Sequence, residues 1–331
     1  MLEHGGRLRR AAAQFRIPLA DWVDLSTGIN PRPYPVPPLP TAAWHRLPED
    51  DDGLEAAAAA YYGSAELLPV AGSQAAIQAL PQLLPGERVA LLQPGYAEHA
   101  HAWRDRRLRH CRNAADLEAA VDTSDIVLLI HPNNPTGLCF ERDRLHDWHA
   151  RLARRGGWLL VDEAFLDCAP DASLLPRAGA AGLVVLRSLG KFFGLAGARV
   201  GFVFAPRGLR DALAERLGPW ALSGPARYAA TAALADTAWQ AATRHRLARD
   251  GERLQSLLAA HGLAGSQGPA LFKWLCHPQA AALHQALAAQ AILVRHFDAP
   301  ASLRFGLPAT ETEWRRLGTA LGGLHDLIRQ G

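Results

Sequence analysis

Cysteine is scarce in this chain, and the four that occur, Cys111, Cys139, Cys168 and Cys276, include no close pair. That spacing argues against a disulfide scaffold and against a zinc site, and it fits a reducing compartment. No apolar run approaches the length of a membrane span. Charge of one sign is lacking too: the formal net charge is +3 over 331 residues, with acids interspersed among the bases, so nucleic acid has no electrostatic footprint here. The first stretch carries Arg7, Arg9, Arg10 and Arg16 but no hydrophobic signal core, so a cytoplasmic protein is expected rather than a secreted one. A Gly-x-Ser-x-Gly elbow is missing, which removes the signature of a serine hydrolase. No Gly-x-Gly-x-x-Gly follows a strand, which disfavours a nicotinamide enzyme. Two histidine groupings, at His99 and His101 and at His146 and His149, lack the further ligands of a tetrahedral site. They read as solvated helix faces, and no metal is expected.

What is present is an alternation of helical and strand patterns, which argues for an α/β protein with a mostly parallel sheet covered by helices. Strands are expected near 88–92, 125–130, 158–162, 183–187 and 200–204, with helices near 54–62, 74–83, 141–155 and 207–217. Leu222-Ser223-Gly224-Pro225 breaks the chain before one long Ala-rich helical region, about 226–261. Further strands near 270–276, 292–294 and 302–305, covered by helices near 279–290 and 311–329, read as a smaller α+β domain. The Pro-rich segment from Pro31 to Pro40 reads as an extended arm. These boundaries suggest an arm over 1–44 that joins the small domain, a large domain over 45–224, and a bridging helix with the small domain over 225–331.

The chemistry concentrates where strands end. Ser188-Leu189-Gly190-Lys191 follows an apolar strand, and Arg199 comes eight residues after the lysine. A lysine in an acid-free, partly apolar loop loses solvation, so its neutral amine becomes a nucleophile. Serine and arginine beside it can hold a phosphate, the arginine bidentately. An amine for a carbonyl next to a clamp for a phosphate is what pyridoxal phosphate requires. His131-Pro132-Asn133-Asn134-Pro135-Thr136-Gly137 turns at the end of another apolar strand and leaves an amide at its crevice. A third strand ends in Asp162-Glu163-Ala164-Phe165; a carboxylate there is costly unless a cation such as a pyridinium nitrogen meets it.

Together these motifs resemble the fold-type I pyridoxal phosphate enzymes of the aminotransferase class I/II superfamily, with matches from Gly72 to Arg199 and again at Arg304. The resemblance implies that Lys191 bonds the cofactor, that Asp162 pairs with its pyridine nitrogen, and that Asn134 meets its phenolic oxygen. Ser188 and Arg199 would hold its phosphate, joined by Ser73 and Gln74 at a helix start, and Tyr96 matches the position that stacks on the ring. A homodimer is implied as well.

His4-Gly5-Gly6, Leu25-Ser26-Thr27-Gly28-Ile29-Asn30-Pro31 and Ser302-Leu303-Arg304-Phe305-Gly306 narrow the resemblance to the threonine-phosphate decarboxylases of cobalamin biosynthesis, relatives of histidinol-phosphate aminotransferases. That likeness implies a phosphorylated amino acid, L-threonine O-3-phosphate, as substrate. Its two anions need two holders, and guanidinium groups suit both. Arg304 matches the carboxylate arginine, Arg295 lies near it across a hairpin, His4 is a candidate for the phosphate, and Asn30 would lie near the bound amino acid. Two residues depart from the aminotransferase pattern: Phe165 stands where tyrosine is usual, and Leu47 stands in place of the tyrosine of Arg-Tyr-Pro. The alternatives are an aminotransferase for histidinol phosphate and, more distantly, a non-catalytic binding protein of the same fold.

Overall fold

The computed structural model describes residues 3–330. They form two compact units, one of Pro33–Asn134 and Leu138–Ala242, the other of the residues up to Arg32, Pro135–Gly137 and the residues from Thr243 onward. The division therefore falls after Arg32 and Ala242, where the sequence pattern suggested 44 and 224. The Pro-rich arm stays with the large unit because it is bonded there: Tyr34 N donates to Phe193 O at 2.9 Å. Helix Gly224–Ala235 also packs there, with Arg227 bridging to Asp52 and Glu55 ahead of and within helix Leu54–Tyr62.

Eleven strands are present among the described residues: β1 (Val23–Leu25), β2 (Leu67–Val70), β3 (Arg88–Leu92), β4 (Arg107–Cys111), β5 (Ile126–Ile130), β6 (Trp158–Asp162), β7 (Leu183–Ser188), β8 (Gly201–Phe204), β9 (Phe272–Cys276), β10 (Ile292–Phe297) and β11 (Ser302–Gly306). In the large unit seven of them form one sheet, in the order β2-β8-β7-β6-β5-β3-β4. β8 runs antiparallel to both its neighbours, and the other pairings are parallel. This is the α/β architecture of fold-type I. Central strands β5 and β7 are buried along their whole length, β5 as a continuous Ile-Val-Leu run and β7 with its final Arg187 and Ser188 buried as well. β4 was not visible in the sequence, because Arg-Leu-Arg-His-Cys at an exposed sheet edge carries no apolar pattern.

The small unit holds a four-stranded sheet, β1-β10-β11-β9, in which β1 runs parallel to β10 and the other pairs are antiparallel. The single long helix expected over 226–261 is two, Gly224–Ala235 and Thr237–Ala260. Asp236 is the break: its backbone leaves the helical region and its carboxylate accepts from Trp239 N at 2.9 Å, as a cap does. Among the described residues no helix is long and apolar enough to cross a membrane.

Candidate active site

Polar residues arrive in the large sheet where its parallel strands end. Ile130, Asp162 and Leu186 are register partners across β5, β6 and β7, so Asn134, Asp162 and Ser188 all belong to one carboxyl-terminal edge. That edge is where ligands bind in open α/β sheets. Asp162 is 4 % exposed. Its Oδ1 accepts from Ala164 N at 3.1 Å, and its Oδ2 lies 2.8 Å from His99 Nε2. His99 is itself 1 % exposed, so the solvated-face reading of this histidine is wrong. The same correction applies to His149, which is buried with Nε2 2.9 Å from Ala181 O. The available signal was spacing: His99 sits three residues after Tyr96, hence on the same side of the short helix that Tyr96 precedes.

Gly72, Ser73, Ser188, Arg199 and Gly201 form a cradle. Ser188 faces Gly201 across the β7–β8 pair. A methyl group on Gly201 would lie 2.5 Å from Ser73 N, and one on Gly72, whose φ is +72°, would overlap the Arg199 guanidinium. Only glycine at both positions leaves room for an anion between these donors. Ser188 Oγ accepts from Gly190 N at 3.2 Å, which leaves its O–H to donate. Arg199 takes up the left-handed conformation, φ +54°, rare for a residue with a side chain and characteristic of functional turns. A backbone N–H, a hydroxyl and a guanidinium converging on a side-chain-free space suit a phosphate.

Tyr96 is half-buried, edge-on to His99 at 6.1 Å, and its hydroxyl donates to Gln74 Oε1 at 3.2 Å. Burial pushes that hydroxyl up to about 12, with the Glu98 and Asp162 charges adding to the effect. Gln74 in turn donates its side-chain amide to Glu98 at 3.0 Å, while its backbone N–H lies in the first turn of helix Ser73–Ala79 beside the cradle. Asn133 donates to Pro94 O at 3.0 Å, which ties the Asn134 turn to the segment leading into Tyr96.

Lys191 is half-buried, with Nζ 5.2 Å from the centre of the Phe165 ring. The chain has only one other lysine, Lys273, buried in the small unit and donating to Gly268 O at 2.8 Å. Behind Phe165 lies a buried ionic group that the sequence did not disclose. Arg187 contacts Glu163 at 3.1 Å and Asp167 at 3.3 Å, and Tyr61 donates to Asp167 at 3.0 Å. Opposite charges on β7 and the loop after β6 thereby fix the segment that carries Phe165.

In the small unit Arg295 on β10 and Arg304 on β11 are direct register partners. Arg304 is 5 % exposed and donates to Ser26 O at 2.7 Å. Burial, with the Arg295 charge beside it, holds the Arg304 guanidinium down at about 10. His4-Gly5-Gly6 lies along the end of β1: Gly6 N donates to Ser26 Oγ at 2.7 Å, and any side chain at Gly5 would strike the Ser26 carbonyl. His4 and Arg295 line the same cavity of about 580 Å³. Asn30 is buried and accepts from Arg32 N at 3.0 Å and from Arg246 Nη2 at 3.1 Å. The structure thus brings His4, Arg295 and Arg304 around Ser26, while Asn30 is anchored by Arg246.

The family model for aminotransferase class I and II matches residues 44–321. The chain is 57 % identical to a threonine-phosphate decarboxylase of Pseudomonas aeruginosa, over 98 % of this chain and 99 % of that one. It is 42 % identical to a threonine-phosphate decarboxylase of a Sinorhizobium species, over 96 % and 97 %. Among solved structures, histidinol-phosphate aminotransferase from Sinorhizobium meliloti in complex with pyridoxal-5'-phosphate superposes with a TM-score of 0.79 at 22 % identity, covering 99 % of this chain and 96 % of that one. The chain belongs to the aminotransferase class I and II family.

Proposed function

We propose that this chain is a pyridoxal-phosphate-dependent decarboxylase. It converts L-threonine O-3-phosphate to (R)-1-aminopropan-2-yl phosphate and carbon dioxide, a reaction of cobalamin biosynthesis. The observation that carries this reading is the 57 % identity, end to end, with a threonine-phosphate decarboxylase. The donor set at the large-sheet edge fits pyridoxal phosphate. Ser73, Gln74, Ser188 and Arg199 would hold its phosphate, Asp162 its pyridine nitrogen and Asn134 its phenolic oxygen, Lys191 would bond its aldehyde carbon, and Tyr96 would stack on its ring. When bound, the cofactor supplies a sink for the electron pair left on the α-carbon when carbon dioxide departs.

The chain's own residues do the rest. The buried Asp162 carboxylate, oriented by His99, would favour a proton on the cofactor's ring nitrogen. Arg304 binds the substrate carboxylate and fixes which bond stands ready to break. Lys191 Nζ returns a proton to the α-carbon. His4 and Arg295 hold the substrate phosphate, and Asn30, anchored by Arg246, lies near the bound amino acid. Phe165, in place of tyrosine, gives the Lys191 amine an aromatic face instead of a hydroxyl.

The protein works in the cytoplasm as a homodimer. Exposed Trp44, Leu47 and Trp220 on the large unit, 66 %, 63 % and 59 % accessible, support that assembly. Incubation with L-threonine O-3-phosphate, followed by measurement of carbon dioxide and identification of the amine, tests the reading. Amino transfer from histidinol phosphate to a keto acid, without carbon dioxide, would replace it.

A further inference from the structure

The cavity beside Arg295 already contains an anion of the protein's own. Glu3 reaches into a ring of cations formed by Arg7, Arg10 and Arg295. Its Oε1 lies 2.8 Å from Arg10 Nη1, and its Oε2 lies 3.8 Å from Arg295 Nη1. Its backbone carbonyl accepts from Arg295 Nη2 at 2.8 Å. The two kinds of contact differ in partner and exposure. The carbonyl bond fixes the Arg295 guanidinium, whereas the carboxylate stands 3.8 Å from Arg295 and makes its short bond to Arg10 in a solvent-exposed pair, the two side chains 60 % and 62 % exposed. Asp298, also at this cavity, is 98 % exposed and lies 3.7 Å from His296 instead.

We propose that Glu3 is a displaceable counter-ion that sets affinity for the substrate phosphate: its carboxylate occupies the arginine ring until the phosphate of the amino acid enters and takes its place. The inference rests on the reading that His4 and Arg295 hold that phosphate. A phosphate monoester carries more charge than a carboxylate and offers three acceptor oxygens, so it is the stronger partner for guanidinium forks. Two anions in one ring repel, and the one on a flexible, exposed side chain leaves. The Glu3 carbonyl stays in place, so Arg295 keeps its orientation through the exchange. Glu3 thus keeps the arginines paired before substrate arrives and weakens the binding of every phosphate by the strength of that pairing.

Holoenzyme carrying Glu3→Gln tests this. KM for L-threonine O-3-phosphate and Kd for inorganic phosphate, measured by titration calorimetry, should fall together by about two- to fivefold, the size of an exposed ion pair. KM for L-threonine should not change. Unchanged or weaker phosphate binding in Glu3→Gln overturns the proposal, and so does a lower KM without a lower phosphate Kd. Failure of the functional reading shows separately, as a wild-type enzyme that does not prefer the phosphorylated amino acid.

Discussion

Arg295 and Arg304 stand directly opposite each other on β10 and β11, two guanidinium groups where adjacent strands usually place opposite or neutral partners. Arg304 is buried, so the pairing opposes folding unless an anion joins it. The arrangement makes sense as a site kept for a dianionic ligand.

Arg304→Ala is therefore expected to raise KM for L-threonine O-3-phosphate and for L-threonine alike, by about ten- to a hundredfold, the strength of a charge-assisted contact. His4→Ala should penalise only the phosphorylated substrate. Steady-state kinetics of both substrates with both variants checks the division of labour; equal losses in His4→Ala would remove His4 from the phosphate.

Asp162→Asn should still bind cofactor but lose about a hundredfold or more in kcat, because the ring nitrogen loses its negative partner. His99→Phe should lower kcat by a smaller factor, about tenfold, since Asp162 keeps its Ala164 contact but loses the ring that orients it. Single-turnover kinetics with saturating substrate measures both.

Lys191→Ala should abolish the visible cofactor band and turnover while leaving a folded protein. With two lysines in the chain, borohydride treatment of wild type followed by mass spectrometry should place the cofactor mass on the Lys191 peptide and none on that of Lys273.

Burial brings His131, at the end of β5, down to about 4 from an ordinary value of 6.5. Between those values the unfolded chain binds the proton and the folded chain does not, so stability falls as pH drops from 6.5 to 4 and is fully present above 6.5. The shift corresponds to at most about 3 kcal/mol. Urea unfolding at pH 7, 6 and 5 should show this slope, and His131→Asn should flatten it.

The residues proposed to hold the cofactor were legible in the chain as strand-end polar groups because they follow apolar strands. Asn134, Asp162 and Lys191 each come within a few residues of such a run, and burial of the run puts its end at the sheet edge. β1, β2 and β4 were not legible: β1 and β4 carry no apolar run, and β2, Leu67-Leu68-Pro69-Val70, is interrupted by a proline. His99 was misread because Glu98 and His101 flank it with polar groups; the fold turns it toward Asp162.

The order of apolar strands, the lysine after β7, the aspartate ending β6 and the serine-to-arginine spacing belong to the sequence alone, because local hydrophobic period and turn chemistry dictate them. Contacts between residues far apart in the chain were decided only by the tertiary structure. The Glu163–Arg187–Asp167 cluster, the His99–Asp162 bond and the closure of Glu3 on Arg295 are of this kind. Burial and strand register, which no local pattern encodes, determine which charges meet and which remain for a ligand.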